Sequence, residues 1–114
     1  MLTLTPNGLP AYDTLYQEGD NRVVYCYECG VFHVYYATVC VDINRRSLDV
    51  LANSLDAYYA CYESTEDRFK RCIEVGTPCS TIRFVLSVED LHLFSGMLRQ
   101  AAKVYDERKQ ALSN

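Results

Sequence analysis

Val31 to Ile43 reads VFHVYYATVCVDI, and the way this run folds decides the architecture. It is rich in β-branched and aromatic residues and holds neither glycine nor proline, which predicts one long strand, the third in the chain. Alternation puts Val31, His33, Tyr35, Ala37, Val39 and Val41 on one face, and Phe32, Val34, Tyr36 and Cys40 on the other. Both sets are largely apolar. A strand apolar on both faces belongs inside a sheet with cover on each side. Helices are expected on one side and a partner subunit on the other.

Working outward from this run, Tyr12 to Gln17 and Arg22 to Cys26 read as two earlier strands around the turn-forming Glu18-Gly19-Asp20-Asn21. Downstream, Asn44 or Ser47 can cap a helix reaching about Tyr62, whose Leu48, Leu51, Leu55, Tyr58, Tyr59 and Tyr62 recur at helical spacing. A polar connector, Glu63 to Arg71, leads to a short strand at Cys72 to Val75. The turn GTPCS then precedes a strand from Thr81 to Leu86. Ser87, with Asp90 three positions on, forms a variant capping box for a second helix lined by Leu91, Phe94, Leu98, Ala101, Ala102 and Tyr105. The expected fold class is α+β: a single layer of mainly antiparallel sheet, about four to five strands, packed against two α-helices near 46–62 and 88–110. A chain of 114 residues suits a single domain, 1–114.

Composition narrows the function. The net charge of −4 comes with scattered basic residues, and Arg45-Arg46 and Lys70-Arg71 are too isolated to make the basic face that nucleic acid requires. No nucleic-acid partner is expected. The opening MLTLTPNGLP lacks the basic start and apolar core of an export signal, and VFHVYYATVCV is too short to span a bilayer. A cytoplasmic location without membrane contact follows as the expectation, and there the six cysteines stay reduced. No glycine-rich phosphate loop stands at a strand-to-helix junction.

The chemistry-bearing motif precedes the long run: Cys26-Tyr27-Glu28-Cys29-Gly30. Two residues separate the cysteines, glycine permits the left-handed conformation such a turn commonly needs, and strand-like segments flank both sides. This spacing can aim two thiolates at one ion, and zinc is the expected cofactor. A second Cys-x-x-Cys pair is missing, so His33 and Cys79 are the first candidates to complete the ligand set with Cys26 and Cys29, and Cys72 the next. Two other readings stay open. The pair can be a thiol-disulfide couple, although a redox Cys-x-x-Cys generally sits at a helix N-terminus and this one runs into a strand. It can also be two reduced thiols packed in a tight turn, as Cys40 and Cys61 are expected to pack.

Neither His33 nor His92 belongs to a legible nucleophile–base set, and no pair of carboxylates stands out as an acid–base couple. The expected role is therefore a non-enzymatic binding or regulatory module with a zinc-knuckle-like turn, the alternative being a thiol-disulfide redox protein using Cys26 and Cys29. Ten tyrosines, among them Tyr35-Tyr36 and Tyr58-Tyr59 with rings on different faces, favour a self-association surface and a homodimer.

These residues resemble a family of small bacterial proteins classed as a domain of unknown function. The likeness runs from Cys26 to Tyr105: the Cys-x-x-Cys turn, an apolar strand with His33, a helix with Leu48 to Leu55, a short strand at Ile73, IRFVLSVEDL from Ile82 to Leu91, and a helix rich in leucine and alanine. Members of that family often carry Gly-Asn where this chain reads Ala37-Thr38. The resemblance implies a compact intracellular bacterial domain and no particular activity or substrate.

Overall fold

Ala37 and Thr38 break the run that reads as one strand. In the computed structural model, which describes residues 11–77 and 81–113, Val31–Tyr36 (β3) and Val39–Ile43 (β4) are two antiparallel strands joined at a tight turn. Ala37 adopts φ 53, the left-handed region, and its amide donates to Asn21 Oδ1 at 2.9 Å. A single side-chain acceptor on the neighbouring strand thus helps to hold a turn that glycine or asparagine would form more readily. Left-handed geometry costs an alanine about 1–2 kcal/mol, against about 0.5–1 kcal/mol of extra chain entropy for glycine. Ala37→Gly is expected to raise the thermal midpoint by about 2–6 °C, read by circular dichroism. A lower midpoint would show that the turn is not strained.

The full order is Tyr12–Glu18 (β1), Asn21–Cys26 (β2), β3, β4, Arg45–Tyr62 (α1), Ile73–Gly76 (β5), Arg83–Leu86 (β6) and Val88–Ser113 (α2). The fold is α+β, with antiparallel strands and two helices as the patterning predicts. The strands divide into two sheets, however: a four-stranded meander, β1-β2-β3-β4, and a β5-β6 hairpin. β3 is an inner strand. The second half of the supposed long strand is the edge strand β4. Among the described residues, no helix is long and apolar enough to cross a membrane.

Strand alternation decides which side of the meander is covered. Val23, Phe32, Val34, Tyr36, Val41 and Ile43 are buried and join one cluster with Leu48, Leu51 and Leu55 of α1 and Leu91, Phe94 and Leu98 of α2. Burying a leucine or phenylalanine of this kind contributes about 1.5–3 kcal/mol relative to leaving it in water. The helices run antiparallel, since Arg45 at the start of α1 pairs with Asp106 late in α2, while Asp56 pairs with Arg99. Each is also capped by the residues its sequence offers. Asn44 Oδ1 accepts from the Ser47 amide at 2.7 Å. Ser87 Oγ accepts from the Asp90 amide at 3.0 Å while Asp90 Oδ2 accepts from the Ser87 amide at 2.9 Å, a reciprocal box. The opposite face of the meander carries Arg22, Val24, Val31, His33, Tyr35, Cys40 and Asp42, all exposed or half-buried apart from their neighbour Cys26.

The tyrosines serve mostly as packing. Tyr36 is buried against Phe94, and Tyr16, Tyr25, Tyr59 and Tyr105 pack partly buried on the core, leaving Tyr12, Tyr58 and Tyr62 exposed. Tyr35 lies on the open face with the Arg22 guanidinium 4.2 Å from its ring centroid.

Candidate functional site

Cys26 is the last residue of β2 and Val31 the first of β3, so Tyr27–Gly30 is the connecting turn. Gly30 has φ 71 and its amide donates to the Cys26 carbonyl at 2.8 Å, closing the loop. The Cys29 amide donates to Cys26 Sγ at 3.2 Å. The two thiols are unequal in access: Cys26 is 2% exposed and Cys29 is open to solvent.

Register brings further groups to this spot. Cys26 pairs with Val31, Val24 with His33, and His33 with Asp42. Because side chains alternate along each strand, Cys26, His33 and Asp42 share the open face. His33 Nδ1 lies 2.5 Å from Asp42 Oδ1. The ring lies on the same sheet face as Cys26, diagonally across the β2–β3 pair. A carboxylate only accepts, so Nδ1 carries the proton. Tyr12, the β1 partner of Cys26, holds its ring 6.3 Å from that of His33. On β4, Cys40 points its sulfur at Asp42 Oδ1, 4.0 Å away.

The electrostatics follow from these contacts. Burial pushes the Cys26 thiol up. Hydrogen bonds from the Cys29 side chain and amide, the His33 ring and the Glu28 amide outweigh it, and the net shift is down. Cys29 moves up, because it hydrogen-bonds Cys26 and sits beside that developing charge. The Asp42 carboxylate raises His33 above its ordinary value against the opposing effect of burial. In place of the usual helix N-terminus, the Cys29 amide of the turn donates to the Cys26 sulfur.

Of the four residues expected around a metal, Cys26 and Cys29 share one turn, His33 lies on the same sheet face as Cys26, and Cys79 lies outside the described residues. The three could offer two sulfurs and a nitrogen. Among the described residues, though, no group of three or more His, Cys, Asp or Glu side chains is disposed to hold a metal ion. Cys72, the next candidate, is exposed beside β5. Cys40 and Cys61, expected to pack as small buried hydrophobes, are both exposed: Cys40 faces outward on the edge strand and Cys61 ends the polar side of α1. His92 is exposed on α2, its ring 5.6 Å from Tyr59. Arg45 and Arg71 are taken up by ion pairs with Asp49, Asp106 and Asp90.

Sequence reasoning missed Asp42. The one signal for it is alternation: between Val41 and Ile43, both core-facing, an aspartate must face the other way, onto the side that holds His33. Compared with protein-family models, curated proteins and solved structures, the chain matches none.

Proposed function

We propose that the domain is a thiol-disulfide responsive regulatory module in which Cys26 and Cys29 pass between dithiol and disulfide. The observation that carries this reading is the hydrogen-bonded turn itself, with the Cys29 amide on Cys26 Sγ at 3.2 Å and the exposed Cys29 thiol beside it. One thiol is poised and buried while its neighbour three residues on meets solvent, so an oxidant encounters Cys29 and the pair closes locally. The setting this implies is the reducing cytosol, where the resting state is the dithiol.

Mild oxidation with glutathione disulfide is expected to remove two hydrogens from the chain and to protect both cysteines from alkylation, as read by mass spectrometry of peptides. Cys26→Ser and Cys29→Ser should each leave the remaining thiol alkylatable. If both sulfurs still alkylate in the oxidised wild type, the reading is wrong.

A second reading has its own support. An amide on the sulfur, a left-handed Gly30 and a carboxylate behind His33 are also how a zinc knuckle and its histidine ligand are arranged. Stoichiometric zinc after chelator-free purification, lost in the Cys26→Ser/Cys29→Ser variant, would replace the thiol reading with the metal one.

A further inference from the structure

We propose that the groove between α1 and β5 binds a small amphipathic carboxylate, an aliphatic chain with its carboxylate at Arg46. The proposal is separate from the thiol reading, since no residue of the groove belongs to the cysteine turn. The groove measures about 470 Å³, within the range of about 300–1,000 Å³ typical of small-molecule sites. Its wall comes from helical spacing. Ser47, Val50, Ser54 and Tyr58 recur at intervals of three and four, a second stripe beside the core-facing Leu48 and Leu55. From Arg46 to Tyr58 the helix rises about 18 Å. Leu51 and Val75 are buried and form the floor, while Val50 and Tyr58 stay 54% and 36% exposed along the wall. At the β5 side Gly76 leaves the groove open, because a Cβ added there would meet no atom within 4 Å.

Charge chooses the ligand. No acidic side chain lines the groove, in a chain whose net charge is −4. Arg46 is its cation and stands in the first turn of α1, where the peptide dipoles add positive potential. Among the described residues, every other arginine is engaged. Arg22 lies over the Tyr35 ring, and Arg45, Arg68, Arg71, Arg83, Arg99 and Arg108 pair with carboxylates. Arg46 alone has no such partner there, and the hydroxyls of Ser47 and Ser54 have no hydrogen-bond partner among the described residues. A guanidinium and a hydroxyl both donate to a carboxylate. One positive charge matches a carboxylate better than a phosphate monoester, which carries about two negative charges at neutral pH.

The probe is octanoate below its micelle concentration, titrated into the whole chain and followed by nitrogen-15 amide shifts. Shifts are expected along Arg46 to Tyr58 and at Val75 to Thr77. Affinity should rise about two- to fourfold per methylene from butanoate to octanoate, fourfold being the value for a fully buried methylene. Octan-1-ol and octylamine should bind more weakly than octanoate. Arg46→Gln is expected to weaken octanoate about fivefold and to leave octan-1-ol unchanged. Lys70→Gln, which removes an exposed cation outside the groove, should change neither. Val50→Asp should abolish octanoate binding. Both groove substitutions fall at exposed positions, and unchanged thermal midpoints would show that the fold is kept. Absence of shifts in the groove up to the highest octanoate concentration would overturn the proposal. So would equal binding of octanoate and octan-1-ol that survives Arg46→Gln, the result for an apolar patch alone. A dimer in light scattering that Val50→Asp separates and octanoate leaves intact would give the groove to a second copy of the chain and also overturn it.

Discussion

Phe94→Ala is expected to destabilise the domain by about 3–5 kcal/mol, the range for a large ring removed from a core that cannot collapse around the void. Phe94 is fully buried on α2. One side of its ring stacks on Tyr36 of the meander, centroids 4.4 Å apart and planes within 4°. Its edge meets Phe84 of the β5-β6 hairpin at 5.0 Å and 84°. A single side chain thus links both sheets to the helix, and both contacts are lost together. Phe94→Leu keeps most of the volume and should cost less, about 1.5 kcal/mol or below. Urea unfolding followed by fluorescence and by circular dichroism measures the difference. A loss under about 1.5 kcal/mol for alanine would mean that the two sheets are held together elsewhere.

Asp90→Asn is expected to cost about 2–4 kcal/mol at neutral pH and to flatten the acid limb of stability. The carboxylate is buried and takes hydrogen bonds from Tyr36 Oη at 2.6 Å, Arg71 Nε at 2.8 Å and the Ser87 amide at 2.9 Å. Burial works against the charged form, but the Arg71, Tyr36 and Ser87 hydrogen bonds prevail and hold Asp90 at about 2, below the ordinary carboxylate value of 3.8. The folded state therefore keeps Asp90 ionised where the unfolded chain protonates it. Its contribution is complete above the ordinary value and disappears as pH falls from about 4 through about 2. Because Arg71 is largely exposed, solvent screening trims this pH-dependent part to about 1–2 kcal/mol. Unfolding curves collected between pH 6 and pH 2 should show the wild type converging on the asparagine variant. Parallel curves would mean that Asp90 is not charged in the fold.

Both helices were legible because their signals are local. Leu48, Leu51 and Leu55 repeat within one helix face, and Ser87 with Asp90 is a capping pair three residues apart. The first two strands were legible for the same reason, with Gly19 and Asp20 marking the turn between them. The turn at Ala37-Thr38 was not, since neither residue is a turn former and the acceptor that steadies it, Asn21, is 16 residues away. That one miss had consequences for the site. A continuous strand would place His33 and Asp42 far apart. The turn folds β4 back onto β3 and sets them side by side, nine residues apart in the chain. The cysteine turn was visible as a motif, but the group that orients its histidine existed only in the register.

Among the described residues, every strand hydrogen-bonds only to a strand that adjoins it in the chain. Pairing of this kind has low contact order and little loop-closure entropy to overcome before contacts reward it. Each hairpin can close on the timescale of such elements, about 1–10 μs, without waiting for a distant segment. The slow, non-local step is then the arrival of α2, whose Phe94 and Leu98 join a meander already in register. A meander that zips before its helices dock shows its apolar face only briefly, and a chain built this way limits the interval in which that face could meet another molecule's strands.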